Sequence, residues 1–186
     1  MDLLEVIYSR RTVHSYTSEL VPEGILKTAI AAATHAPNHK QTWPWRFIFS
    51  GPKTRLQLAD LQARLKEEKT KTPLTESARK SLVDKFMEPG ALIVLAVKKS
   101  ADPLRAREDY AALACAVQNM SLYLYEKGYG SKWGTGDVIR SAEAYDLLDI
   151  SKDEFELCGL FWVGRPREIP PAPRRPDAEQ FILRRE

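Results

Sequence analysis

The sequence predicts an α+β domain built around a modest sheet. Three observations carry that expectation. Helical apolar stripes alternate along the chain with a few strand-like runs. Two of those runs, Ala91–Val97 (ALIVLAV) and Leu157–Val163 (LCGLFWV), are continuously apolar, as strands buried on both faces are. Between them, Asp109–Lys127 is apolar or small at nearly every position from Tyr110 to Tyr125, which predicts a helix buried all round, in the core or at a subunit interface.

The other elements follow in chain order. Asp2 is placed to cap a short helix carrying Leu3, Leu4, Val6 and Ile7 through Ser9. Arg10–Ser15 has no periodic apolar signal and reads as loop. Pro22 suits the first position of a helix whose stripe is Ile25, Leu26, Ala29, Ile30 and Ala33, and Pro37 ends it. A loop bracketed by prolines (36–44, APNHKQTWP) leads to a strand at Trp45–Phe49, which Gly51-Pro52 breaks. Lys53–Thr70 reads as a charged helix with Leu58, Leu61 and Leu65 on one face, its lysines and glutamates a solvated surface. Gly128 is placed to cap the long helix, and Gly128–Gly136 (GYGSKWGTG) reads as a turn or short strand. Five of the twelve prolines lie between Pro166 and Pro176, so the tail is extended.

Composition narrows the function. At 186 residues the chain is one domain's length, with a formal net charge of only +3, too balanced for a general nucleic-acid binder. Cys115 and Cys158 form neither a Cys-x-x-Cys pair nor a zinc pattern with His14, His35 and His39, so no metal site is expected and a reducing cytoplasm is. The longest apolar region is interrupted by Gln118, Asn119 and Ser121, and no membrane span is expected. No acid pair, Ser-His-Asp set or Cys-His arrangement is visible. If the protein is an enzyme, its reactive atoms belong to a bound cofactor.

Four segments hold candidate ligand residues. Arg10-Arg11-Thr12 offers two guanidiniums and a hydroxyl that suit a phosphate, or it is solvated surface. The loop holding His39, Gln41 and Trp43 mixes polar donors with indole, as a site for a flat heteroaromatic ring does, or it is a turn around core tryptophans. In Gly128–Gly136 the backbone can approach a ligand closely, but the helix before it excludes the dinucleotide-binding G-x-G-x-x-G context. Arg165, Arg167, Arg174 and Arg175 make the tail a stiff basic arm, able to cross a subunit boundary, or an ordinary terminus.

In this order the segments resemble the FMN-dependent nitroreductase family, in particular its short-chain members. The motifs are S-R-R-T at residues 9–12, A-P-N-H-K through P-W-R-F from Ala36 to Phe47, a buried helix ending in G-Y-G-x-x-W, and F-W-V-G-R-P from Phe161 to Pro166 before a proline-arginine tail. The resemblance spans nearly the whole chain. It implies a central, mostly antiparallel sheet flanked by helices, in an intertwined homodimer with FMN at the subunit interface. It also implies a single domain over residues 1–186, with 165–186 as a C-terminal arm. The implied cofactor contacts are Arg10, Arg11 and Thr12 to the phosphate, ribityl chain and pyrimidine edge. His35 and His39 would reach the partner's FMN, Trp133, Gly134 and Thr135 would lie against the flavin, and Arg175 would sit near the phosphate. Gln41 and Trp43 stand where many members carry Asn and Gln, and Gln41 can supply the amide contact. The implied activity carries hydride from NADH or NADPH through FMN to a small acceptor such as a nitroaromatic or quinone, with the flavin N5 rather than a side chain doing the chemistry. The same scaffold also resembles enzymes that reduce enones, remove halogens or oxidise substrates, and a flavin-binding sensor is a further alternative.

Overall fold

The computed structural model describes residues 2–185. Its elements are α1 (Leu3–Ser9), α2 (Glu23–Thr34), β1 (Trp45–Phe49), α3 (Pro52–Thr70), α4 (Glu76–Met87), β2 (Ala91–Lys98), α5 (Pro103–Glu126), β3 (Gly130–Gly134), α6 (Ala142–Leu147) and β4 (Phe155–Gly164). The four strands form one antiparallel sheet in the order β1-β2-β4-β3. This is the α+β architecture expected. Among the described residues no helix is long and apolar enough to cross a membrane.

The sheet separates two cores, which is why its central strands are apolar on both faces. On one face Ile93, Leu95 and Val97 of β2 pack with Phe161 and Val163 of β4 against α2 and α5, where Leu113, Met120 and Leu124 are fully buried. On the other, Leu92, Val94 and Ala96 meet Leu160 of β4, Leu58 and Leu61 of α3, Phe86 of α4 and Tyr145 of α6. Each fully buried side chain of this size contributes about 1.5–3 kcal/mol.

The strict alternation along β4 breaks once. Leu95 pairs with Gly159 but the next residue, Ala96, pairs with Leu157, leaving Cys158 as the extra residue of a β-bulge. Cys158, Phe161 and Val163 therefore share the α5 face, while Leu157, Leu160 and Trp162 face α3 and α4.

Local chemistry explains the element ends. Asp2 caps α1 by accepting from the Glu5 N–H at 2.8 Å. Helix α5 starts at Pro103, six residues before the expected Asp109, because Asp102 caps it and Pro103 takes the first turn. It ends where Gly128 adopts φ +79°, and the Tyr129 and Gly128 N–H groups close on the carbonyls of Leu124 and Tyr125. Helices α4 and α6 carry no long apolar stripe and go unread in the sequence; α4 buries only Phe86 fully. The expected all-round burial of α5 does not hold within one chain. Tyr110, Ala111, Cys115 and Gln118 are exposed along one side.

Candidate functional site

The cap of α1 releases the chain into an extended segment laid beside β3. The Val13 N–H donates to the Ser131 carbonyl at 3.1 Å, Thr12 bridges Ser131, and the buried Tyr16 hydroxyl donates to the Val13 carbonyl at 2.8 Å. These bonds fix Arg10–Thr12 against the start of β3. Arg10 and Thr12 line a hollow of about 220 Å³ with Ser131, Trp133 and the α5 residues Val117 and Gln118.

The charge in that hollow is uncompensated. The Arg10 Nε is buried and has no hydrogen-bond partner. Burial, then the neighbouring Arg11 and Arg175, lower the Arg10 pKa, so three guanidiniums share one region. Among the described residues none of the three has an ion-pair partner, and the Arg11 Nη1 is committed to the carbonyls of Tyr8 and Arg10 at 2.6 and 2.8 Å. Like charges with a half-buried, unsatisfied donor among them need an anion. A phosphate group fits this donor set.

Trp133 is placed by the bulge. Its indole Nε1 donates to the carbonyl of Cys158, the bulged residue, at 3.1 Å. The ring lies over Gly159, where a Cβ would overlap the indole nitrogen. Gly134 is half-buried in β3, and Thr135 follows the strand, exposed.

A cavity of about 530 Å³ opens on the opposite face of the same strand. Lys132 and Gly136 border it from the β3 side, and His14 from the extended segment after Thr12. Its floor is Leu160 and Trp162, and Leu82, Lys85 and Phe86 of α4 with Gln62 and Lys66 of α3 form its wall. Lys132 sits with its Nζ 5.3 Å from the centre of the Trp162 ring. None of these lysines was a candidate in the sequence. Lysines on charged helices read as solvated surface, and only the fold brings positions 66, 85 and 132 together.

His35, His39 and Gln41 are exposed and line none of these cavities. His35 caps the C-terminus of α2, and His39–Gln41 is a single 3₁₀ turn. In one chain they are not brought to Arg10. Trp45 is a buried core residue, whereas Trp43 is 52% exposed and meets it edge-on, ring centres 6.1 Å apart. Among the described residues no cluster of His, Cys, Asp and Glu could hold a metal ion.

The nitroreductase family model matches residues 7–165, the segment from α1 through β4. The chain belongs to the nitroreductase family. A similar relative is YfhC of Bacillus subtilis (strain 168), a provisionally named NAD(P)H nitroreductase, 30% identical over 176 residues that cover 93% of this chain and 89% of YfhC. The nitroreductase-like family protein from Bacillus cereus superposes with a TM-score of 0.85 at 25% identity, covering 100% of this chain and 97% of that one. Oxidised iodotyrosine deiodinase, solved bound to FMN and 3-iodo-L-tyrosine, superposes at 0.78 and 24% identity, covering 100% and 99%. The fold of this nitroreductase is thus that of known flavoproteins, with all four strands and both cavities inside the matched segment.

Proposed function

We propose that this nitroreductase passes hydride from NADH or NADPH through FMN to a small acceptor, a nitroaromatic or a quinone. Family membership supports the oxidoreductase class, FMN as redox group and a nicotinamide donor. The observation that carries the reading is the partnerless Arg10 Nε beside Arg11 and Arg175, a place made for the phosphate of a nucleotide.

When bound, FMN supplies the two-electron chemistry at its N5. The chain's own part is binding and electrostatics. Arg10, Arg11, Thr12 and Arg175 would hold the phosphate and ribityl end, and Trp133, Gly134 and Thr135 would contact the ring. His14, Lys85 and Lys132 give the cavity beyond β3 positive charge, which would draw in an anionic second reactant and favour negative charge next to the cavity. For a nitro acceptor the balance is one oxygen lost as water, two electrons and one proton from the nicotinamide, and a second proton from solvent. No side-chain acid is required.

A hollow of about 220 Å³ lies below the roughly 300–1,000 Å³ of a typical ligand pocket, so one chain makes part of a site. We take a second copy to complete it, docked on the bare side of α5 and contributing His35, His39 and Gln41, with each chain one FMN domain over 1–186 and residues 165–186 as its arm. Two free thiols and a reduced nicotinamide donor suit a cytoplasmic workplace.

The deciding test is the visible spectrum of the purified protein, then NADPH addition under nitrogen. A flavin spectrum that bleaches on addition and returns with a nitroaromatic supports the proposal; colourless protein that takes up no FMN at micromolar levels overturns it. The likeness to a deiodinase favours one second reading, removal of halogen from an aryl halide on the same scaffold, and a panel of acceptors separates the two.

A further inference from the structure

Resting on the proposed FMN chemistry, we propose that the cavity between β3 and the α3–α4 helices selects flat acceptors bearing an anionic group, gripped by Lys66, Lys85 and Lys132.

The argument begins with charge. Among the described residues the cavity's lining contains three lysines and His14 and no carboxylate. That does not follow from the composition, since the whole chain carries 28 basic and 25 acidic residues. Nor are carboxylates scarce on these helices. Asp60, Glu67, Asp84 and Glu143 are all nearby in the fold, and each is engaged elsewhere: Arg64 with Asp60 and Glu143, Arg79 with Asp60 and Glu67, Lys80 with Asp84. On α3 and α4, Arg64, Lys69, Arg79 and Lys80 are paired with carboxylates and Arg55 is bonded to the Phe86 and Pro89 carbonyls, whereas Lys66 and Lys85 line the cavity without an ion-pair partner among the described residues, and Lys53 is unpaired outside it.

Two of the ammonium groups, on Lys85 and Lys132, also repel each other. Burial, then the nearby Lys85, lower the Lys132 pKa. Beneath them the floor is flat and apolar. Trp162 presents its ring face to Lys132, with Leu82, Phe86 and Leu160 beside it. Apolar floor and cationic rim together describe an aromatic carboxylate, sulfonate or phosphate better than a neutral ring. The reaction it undergoes is the reduction balanced above; the anionic group itself is unchanged.

The test compares 4-nitrobenzoate with 4-nitrobenzamide, equal in shape and reducible group and different in charge. The FMN-loaded protein should show kcat/KM about tenfold or more in favour of the benzoate, the scale of one charged contact. Lys66→Gln and Lys85→Gln should each bring that ratio toward one, while Lys53→Gln, on α3 outside the cavity, leaves it at the wild-type value. Calorimetric titration of the holoprotein with 4-nitrobenzoate in the absence of NADPH should show the same loss of affinity. Equal rates on both acceptors in the wild type overturn the proposal. So does a preference that survives both cavity substitutions, or a rise in the NADPH KM with the acceptor ratio unchanged, which assigns the lysines to the donor. Protein that binds no FMN overturns the proposed function instead, and the titration then still reports on the cavity.

Discussion

Arg10 is the residue on which cofactor retention turns. The backbone beside it is fixed to β3 through the Val13–Ser131 bond, and its guanidinium is partly buried and repelled by Arg11 and Arg175, so an anion is favoured there. Arg10→Ala should weaken FMN binding by about 1.5–3 kcal/mol, roughly a ten- to hundredfold rise in Kd, read by flavin release on dilution. Unchanged flavin content would remove Arg10 from the phosphate site. A second residue-scale expectation concerns alkali. Burial pushes the Cys158 thiol up to about 12 from an ordinary 9.0, and raises the Tyr16 hydroxyl as well. The folded state then keeps a proton that the unfolded chain gives up. Stability from these groups is full below pH 9 and is lost as pH rises toward 12. Urea midpoints measured from pH 8 to 11 should fall, and fall less steeply in Cys158→Ala. Arg10 and Thr12 were legible in the sequence because adjacent residues with complementary chemistry form a local pattern. Lys85 and Lys132 were not, since their meaning depends on which carboxylates pair with other residues.

At the scale of elements, the bulge in β4 and the edge strand β3 act as one unit. The extra residue Cys158 turns its carbonyl to the Trp133 indole, and Gly159 leaves room for the ring. Gly159→Ala should displace Trp133, costing about 1–3 kcal/mol from overpacking and altering flavin fluorescence. A wild-type melting curve together with wild-type fluorescence would show that the ring's placement does not matter. β4 was readable as a strand and β3 only as a turn or short strand, and the bulge was not readable, because an apolar run hides any break in alternation. Helices α4 and α6 escaped for a related reason. Residues such as Leu82, Val83 and Leu147 are only half-buried, so their stripes are thin, and their packing on α3 rather than propensity holds them.

For the whole molecule, the exposed side of α5 and the partial hollow beside it point to the same missing surface. Light scattering should give a mass near twice 21.1 kDa at micromolar concentration. A monomer that still binds FMN tightly would separate the cofactor from the second copy. Added FMN should raise the melting temperature, by an amount corresponding to about 2.7 kcal/mol at a hundredfold excess over Kd. The order of helices and strands was visible along the chain. Their arrangement into two cores on one sheet came only from the resemblance, since periodicity gives faces but not partners.

The loop before β1 is a latched spring. Lys40, Gln41 and Trp43 all hold positive φ, at 59°, 51° and 45°, a backbone state that costs a residue with a side chain of order 1–3 kcal/mol. What keeps it wound is a short relay: the Asn38 side chain accepts from the Trp43 N–H and bonds Thr42, whose hydroxyl donates to the buried Asp109 of α5 at 2.5 Å. Cutting the last link with Asp109→Ala would let the segment relax, and trypsin should then cleave after Lys40 faster than it does in the wild type.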